Sequence, residues 1–381
     1  MNVTIAIDSF KGSLSTFESG NAVKEALLSV YPEADVHIRP LADGGEGTVD
    51  ALVSASDGDY REVEVCGPLG ENILSHYGII SSGSVAVIEM SAAAGITLVN
   101  ESARNPLLTT TYGVGELIKD AVHSGCRKFI IGIGGSATND GGTGMLSALG
   151  YRFLDTDGNE ILLGARGLEN LAEINSDNVI EELSECEFYV ACDVTNPLCG
   201  INGCSNVYGP QKGANEQMIA DMDAWLKNYA NLTKTYNPDA DPDHPGAGAA
   251  GGMGFAFLSY LNAKLVPGID LVIEHINLES YIKKSDLVIT GEGRLDGQSC
   301  MGKAPIGVAA LAKKYGKPVI AFSGIVSEDA VLCNKHGIDA FFPILRRVCT
   351  SAEAMDIDNA YKNLVATATQ VFLLIKAFKD R

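Results

Sequence analysis

The sequence is short of basic residues and has nothing that would staple or anchor it. It carries 28 Lys+Arg against 48 Asp+Glu over 381 residues, a formal net charge of −20. A field of that sign repels phosphodiester backbones and anionic membrane surfaces, which argues against nucleic acid or a membrane as partner. Any anionic substrate must then be held by locally placed Lys, Arg and amide dipoles. No apolar stretch approaches the roughly 18 residues needed to span a bilayer. The nine cysteines contain no C-x-x-C pair, and their odd number argues against a fully bridged secreted protein. The densest group, Cys192, Cys199 and Cys204, has no histidine beside it and reads as small buried hydrophobes rather than zinc ligands. Six histidines lie dispersed and no G-x-S-x-G elbow is present, so nothing supports a Ser-His-Asp hydrolase. The opening residues MNVTIAIDSF lack a charged n-region and are interrupted by Asp8, which reads as a first strand rather than a secretory signal. A reducing, cytoplasmic setting is the expectation.

What the chain has in excess is glycine, 42 of 381 residues, roughly 11% against the usual ~7%. The excess falls in clusters. In KFIIGIGGSATNDGGTGM (128–145) a buried strand over 129–133 ends in Gly134, Gly135, Gly141, Gly142 and Gly144, with Ser136 and Thr138 between them. Such a loop lets backbone N–H groups approach a ligand closely, and phosphate is the usual beneficiary. Plain tight turns use the same residues.

Strand and helix signals alternate at both ends of the chain. A strand at 3–7 is followed by a capping-box pattern, Ser15 to Glu18, and a helix with Val23, Leu27 and Val30 on one face. Further strands are predicted at 36–38, 287–290, 318–324 and 340–344. Helices are predicted at 305–315 and along a terminal stretch from Ile357 to Phe378. Five short strands separated by helices predict an α/β fold with a doubly wound parallel sheet. The middle reads β-rich over 63–88, then carries the glycine loop, a strand at 188–191 and a helix over 215–229. NPDADPDHPGAGAAGG, which follows, reads as a polar link outside the core. Residues 66–280 are taken as a second, smaller α/β domain inserted into the first, which spans 1–65 and 281–381.

In an open parallel sheet, ligands bind beyond the carboxyl ends of the strands. Three segments fall there: one from Asp8 through Ser9, Lys11 and Ser13; one from Asp43 through Gly44, Gly45 and Glu46; and GEGRLDGQSCMGKAP after 287–290. The last contains a near Walker A pattern, Gly297 to Gly302-Lys303, with Ala304 where Ser or Thr would hold magnesium. A Lys beside helix N-terminal amides can still hold a phosphate. Asp193 at the end of a strand, Lys212, Glu292 and Asp296 complete the parts that phosphoryl transfer needs: cations around the phosphate, acidic oxygens for Mg²⁺, and a carboxylate for the attacking hydroxyl.

Seven motifs in order, DSFKGSLS, LADGGEGTVDAL, GIGGSATNDGGTGML, CDVTNPLCG, GPQKGA, GAGAAGGMGFA and TGEGRLDGQSCMGKAPIGVA, together resemble the type-1 glycerate kinases. The match runs from Ile5 to Ala309, and the Ala after Gly302-Lys303 belongs to that family's pattern. The resemblance implies ATP-dependent, Mg²⁺-assisted phosphorylation of D-glycerate at the 2-hydroxyl. It also implies a flavodoxin-like domain carrying an inserted α/β domain, with the active site in a cleft. On the chemistry of that reaction, Lys11 and Lys303 are assigned to phosphate oxygens and Arg294 to the glycerate carboxylate, since a guanidinium binds carboxylate bidentately. Asp296 or Asp193 is the candidate base, the other assisting Mg²⁺, with Asp193 the metal candidate. Glu292, Asp43, Gly44 and Gly45 join Ser136 and Thr138 as substrate contacts. Ser9, Ser13, Gly134, Gly135, Lys212 and Gly302 join Lys303 around the nucleotide phosphates.

The rivals are a kinase giving 3-phosphoglycerate, an NAD-dependent hydroxyacid oxidoreductase and a non-catalytic sugar-acid binder. The oxidoreductase would want G-x-G-x-x-G after the first strand, where DSFKGS stands instead. Monomer and homodimer both stay open.

Overall fold

The computed structural model describes residues 1–42, 44–45 and 47–379. Among them run thirteen strands: β1 (Asn2–Ile7), β2 (Asp35–Ile38), β3 (Asp59–Cys66), β4 (Asn72–Ile80), β5 (Val85–Glu89), β6 (Lys128–Gly132), β7 (Arg152–Leu154), β8 (Glu173–Asn175), β9 (Glu187–Ala191), β10 (Lys264–Val266), β11 (Leu287–Leu295), β12 (Val319–Val326) and β13 (Ala340–Pro343). The chain divides into two compact units. The first is Met1–Asp43, Asp50–Ser56 and Ile269–Arg381; the second is Gly44–Val49 and Asp57–Gly268. β3 thus belongs with the second unit and 269–280 with the first, a different division from the one read in the sequence.

The first unit is built on a five-stranded, all-parallel sheet in the order β13-β12-β11-β1-β2. Counting only these five strands in chain order, the arrangement is 2-1-3-4-5, the flavodoxin-like doubly wound order with its switch point between β1 and β11. β1 lies inside the sheet and is buried from Val3 to Ile7, which explains its continuous apolar run. The helix Thr16–Val30 starts at Ser15, whose hydroxyl accepts from the Glu18 amide (3.2 Å) while the Glu18 carboxylate accepts from the Ser15 amide (2.8 Å). This is the predicted capping box. That helix packs on the terminal helix Ile357–Lys379, with Ala22, Ala26 and Leu27 clustered in one core with Leu364, Ala368 and Phe372.

β11 is longer than the sequence suggests. Gly291 and Gly293 read as loop because glycine is a poor strand former, yet the strand continues through them and pairs Glu292 with Ser323 and Arg294 with Ile325. The glycines permit close approach: a Cβ on Gly291 would stand 2.1 Å from the Phe322 carbonyl oxygen, and one on Gly293 would stand 3.3 Å from the backbone of Phe10 and Lys11. Glu292 and Arg294 are therefore fixed on a paired strand.

The second unit holds a six-stranded sheet, β10-β9-β6-β5-β4-β3, parallel from β10 to β5 and antiparallel through the β5-β4-β3 meander. The meander is the predicted β-rich stretch. Phe129 and Phe188, register partners on β6 and β9, stack with centroids 4.8 Å apart. The stretch read as a polar link is only half of one. Residues 241–245 are mostly exposed, but Gly246 to Ala249 are buried and lead into the helix Ala249–Leu261. Having no side chains, Gly251 and Gly252 lie against the glycine loop: a Cβ on Gly251 would be 2.1 Å from the Thr138 carbonyl oxygen, and one on Gly252 2.7 Å from the α-carbon of Gly141. Two glycine-rich segments, distant in sequence, are the two faces of one tight packing contact.

Candidate functional site

The first unit carries a cavity of about 490 Å³ at the carboxyl edge of its sheet, where β1 and β11 part. It gathers seven of the residues picked from the sequence: Ser9, Lys11 and Ser13 from the loop after β1, Glu292 and Arg294 from β11, and Asp296 and Lys303 from the turn beyond. An apolar set including Phe10, Ile344, Leu345 and Met355 completes the lining. This is the position at which an open parallel sheet of this order binds ligands.

Its charged groups are wired to one another. The Arg294 Nε lies 3.1 Å from Asp296 Oδ2, with the arginine two-thirds exposed (65%) and the aspartate largely covered (15%). Asp296 Oδ1 accepts from the amides of Gln298 (2.9 Å) and Ser299 (3.2 Å), a turn that fixes the carboxylate in orientation. Ser299, fully buried, donates its hydroxyl to Glu292 Oε1 at 2.5 Å and accepts from the Asp296 amide at 3.1 Å. Glu292 is itself 8% exposed and has Oε2 4.0 Å from Lys303 Nζ. Lys303 is the residue before the helix Ala304–Lys314, whose first turn contains Pro305, and Gly302 precedes it in a left-handed conformation (φ +101°). Lys303 thus brings its ammonium to the cavity at the positive end of a helix, a place suited to a phosphate. Lys11 stands exposed, and Ser13 Oγ is buried with no hydrogen-bond partner among the described residues.

Sequence reading missed two residues here as site residues, one in the cavity lining and one buried outside it. Asp8 is 4% exposed, lines the cavity and accepts from the Ser9 amide at 2.7 Å. Ser299 joins Glu292 to the Asp296 turn. The signal for Asp8 is its position, directly after a buried strand. Ser299 carried none, because its partner comes from seven residues away on β11.

The second unit presents a different group of residues. Gly134 and Gly135 are exposed just beyond β6, Gly135 with φ +74°, and beside them Gly45 comes within 3.2 Å of the Cβ that Gly134 lacks. Gly44 is buried with φ +84°; a Cβ there would strike Ala191 at 2.3 Å. The segment after β2 therefore packs, in its described part, on the strand ends of the second unit, whereas the other two expected rim segments line the first unit's cavity. Asp43, expected as a substrate contact, lies outside the described residues, as does Glu46.

Beneath the exposed glycines sits a buried cation. Lys212, 2% exposed, donates to Ser136 Oγ (2.8 Å) and to the Thr138 carbonyl (2.6 Å). Burial holds its ammonium down to a pKa of about 8. Lys212 can therefore act on a ligand through Ser136 and the field it sets under the loop. Thr138 is wholly buried: its carbonyl is used, while its hydroxyl has no partner among the described residues. The far end of the loop is structural. Asp140, fully buried with its carboxyl pushed upward by desolvation, accepts from the Thr111 amide and hydroxyl and from the Gly142 amide. Asp193, two residues past β9, is exposed, and its Oδ1 accepts from the Gly268 amide at 3.0 Å. Among the described residues no group of three or more His, Cys, Asp or Glu side chains is disposed to hold a metal ion, and no helix is long and apolar enough to cross a membrane.

Comparison with known proteins gives these arrangements a common context. The model of the glycerate kinase family matches residues 3–376. The chain is 48% identical over 372 residues to the glycerate 2-kinase of Escherichia coli strain K12, covering 96% of this chain and 98% of that one. It is 46% identical over 379 residues to the glycerate kinase of Bacillus subtilis strain 168, covering 100% and 99%. A crystal structure from Salmonella typhimurium LT2 that bears the name glycerate kinase 2 superposes with a TM-score of 0.90 at 46% identity, over the whole of both chains. A match across the chain in family model, sequence and fold has one reading: this phosphotransferase belongs to the glycerate kinase family.

Proposed function

We propose that the protein transfers the γ-phosphoryl group of ATP to the 2-hydroxyl of D-glycerate, giving 2-phosphoglycerate and ADP. The observation that carries this reading is the switch-point cavity, in which Arg294, Lys11 and Lys303 stand beside Glu292 and Asp296. The name glycerate 2-kinase on a 48%-identical relative supports the choice of hydroxyl. Arg294, anchored through Nε to Asp296, offers its remaining N–H donors to the glycerate carboxylate. Asp296, oriented by two amides, accepts the hydroxyl proton as the oxygen attacks. Lys11 and Lys303 take phosphate oxygens, with the positive end of the helix Ala304–Lys314 behind Lys303. In the second unit, Gly134, Gly135 and Ser136 form an anion cradle backed by the Lys212 charge.

Mg²⁺ fits this set without a protein cage, since it keeps most of its waters and binds through one or two carboxylates and the nucleotide's phosphates. Asp193, exposed and steadied by the Gly268 amide, would be its protein ligand. When bound, the ion neutralises phosphate charge as the bond to the leaving oxygen breaks. The setting is cytoplasmic and the partners are small molecules.

The test is a phosphorus NMR spectrum of the products from purified protein, Mg-ATP and D-glycerate. Growth of a 2-phosphoglycerate resonance together with ADP is the expected result. A 3-phosphoglycerate resonance would move the reaction to the other hydroxyl, and no phosphoglycerate would overturn the substrate.

A further inference from the structure

We infer that Cys300 and Cys333 form a reversible disulfide site, oxidised by hydroperoxides and reduced by dithiols, that sets the geometry of the 297–303 turn. The two sulfurs stand 3.3 Å apart although 33 residues separate them in sequence. Cys300 is half-buried in the single helical turn Ser299–Met301; Cys333 is fully buried on the short helix Leu332–Lys335. Both are free thiols. The two segments are pressed together at more than one point: Cys333 Sγ lies 3.9 Å from the Asp296 carbonyl oxygen, and a Cβ on Gly297 would meet the Asp329 carboxylate at 2.5 Å. No rearrangement of the fold is needed to bring the sulfurs into contact.

The chemistry has a natural direction. Burial and the neighbouring Cys300 push the Cys333 thiol up to about 12, so the more accessible Cys300 is the sulfur that meets the oxidant. Its thiolate attacks hydrogen peroxide, breaking the O–O bond to give a sulfenic acid and one water. Cys333 sulfur then attacks Cys300 sulfur, the S–O bond breaks, and a second water leaves with the thiol proton. Two thiols and one peroxide thus become one disulfide and two waters. A dithiol reverses the step by exchange, leaving as its own disulfide.

Bond formation closes the sulfurs from 3.3 Å to about 2.05 Å. The roughly 1.2 Å of closure falls on a turn whose next residue back is Ser299, which holds Glu292 at 2.5 Å, and which leads through Gly302 to Lys303. A displacement of that size in positioning groups costs on the order of 10²-fold in turnover. This consequence rests on the proposed function; the disulfide does not.

Treat the full-length reduced protein with hydrogen peroxide, digest it without reductant and map the peptides by mass spectrometry while following phosphorylation of D-glycerate. A peptide linking Cys300 to Cys333, a loss of at least tenfold in kcat, and recovery of both with dithiothreitol are expected. Cys300→Ser should keep basal activity and lose the sensitivity, and Cys333→Ala should do the same should the first variant fold poorly. No linked peptide while other thiols are consumed would overturn the site. A linked peptide with undiminished kcat would overturn the control of the turn. Because the peptide map needs no substrate, it stands even where the assigned reaction fails.

Discussion

Asp296→Asn separates two tasks that the structure assigns to one carboxylate. The amide is isosteric, and its Oδ1 can still accept from the Gln298 and Ser299 amides, so the turn is preserved. Two things are lost: the charge paired with Arg294 and the proton acceptor. Arg294 is 65% exposed, and a pair with so much solvent around it is worth about 0.2–1 kcal/mol. At RT of about 0.6 kcal/mol, that corresponds to a rise of at most roughly fivefold in KM for glycerate. Loss of a general base instead lowers kcat by about 10²–10⁴-fold. The expected result is therefore a kcat reduced by at least about a hundredfold with KM for glycerate changed by less than about fivefold, read by coupled ADP release. The companion variant Arg294→Lys should show the opposite split: a bidentate, charge-assisted contact is lost, raising KM for glycerate by about 10–100-fold while kcat moves little. If Asp296→Asn keeps kcat within about tenfold of the parent, the carboxylate only steers Arg294 and the base lies elsewhere.

Lys212 gives a pH signature. Its folded-state pKa of about 8 lies below the ordinary 10.5, so below pH 8 the folded protein bears the full cost of a buried ammonium. Between the two values the unfolded chain binds more protons, and stability rises with pH by about 3 kcal/mol in total. Urea denaturation of the parent and Lys212→Met, near pH 7 and near pH 10, should show the parent gaining on the variant at the higher pH; parallel profiles would refute the buried charge. Gly251→Ala should destabilise by more than about 2 kcal/mol, because φ is +71° and the new Cβ falls 2.1 Å from the Thr138 oxygen. Gly158→Ala, at φ +81° in open space, should cost only about 1 kcal/mol, so equal melting temperatures for the two would refute the packing account. Ser299→Ala removes the donor from a carboxylate that is 8% exposed and should cost about 1.5–3 kcal/mol in stability and raise KM, with near-parental values counting against Glu292 as a binding group.

The parallel sheet of the first unit was legible because its strands are short apolar runs, each bounded by turn residues, and because β1 is buried on both faces. Its 2-1-3-4-5 order places the loops after β1 and β11 side by side, which is why Lys11, Glu292, Arg294, Asp296 and Lys303 meet in one cavity although up to 292 positions separate them. What escaped was wherever glycine served packing rather than turning. Gly291 and Gly293 hid the second half of β11, and Gly246 to Gly252 disguised a core segment as a link. Composition alone cannot distinguish a glycine that frees the backbone from one that lets another backbone approach.

The glycine loop at 134–144 shows both uses within eleven residues. Gly134 and Gly135 are exposed and present bare backbone beside Ser136, as an anion cradle requires. Gly141, Gly142 and Gly144 face Tyr229, Ala256 and Thr110 at separations no side chain would allow. Lys212 was picked as one of the cations that phosphoryl transfer needs, and its burial recasts that role. A fully desolvated ammonium under the cradle adds attraction for an anion without spending a direct contact, and it does so only below pH 8, while it holds its proton. Anion affinity at this loop should then fall as pH rises through 8 even as the fold grows more stable. Opposite pH trends in binding and in stability, both abolished in Lys212→Met, are what one buried charge serving both would produce.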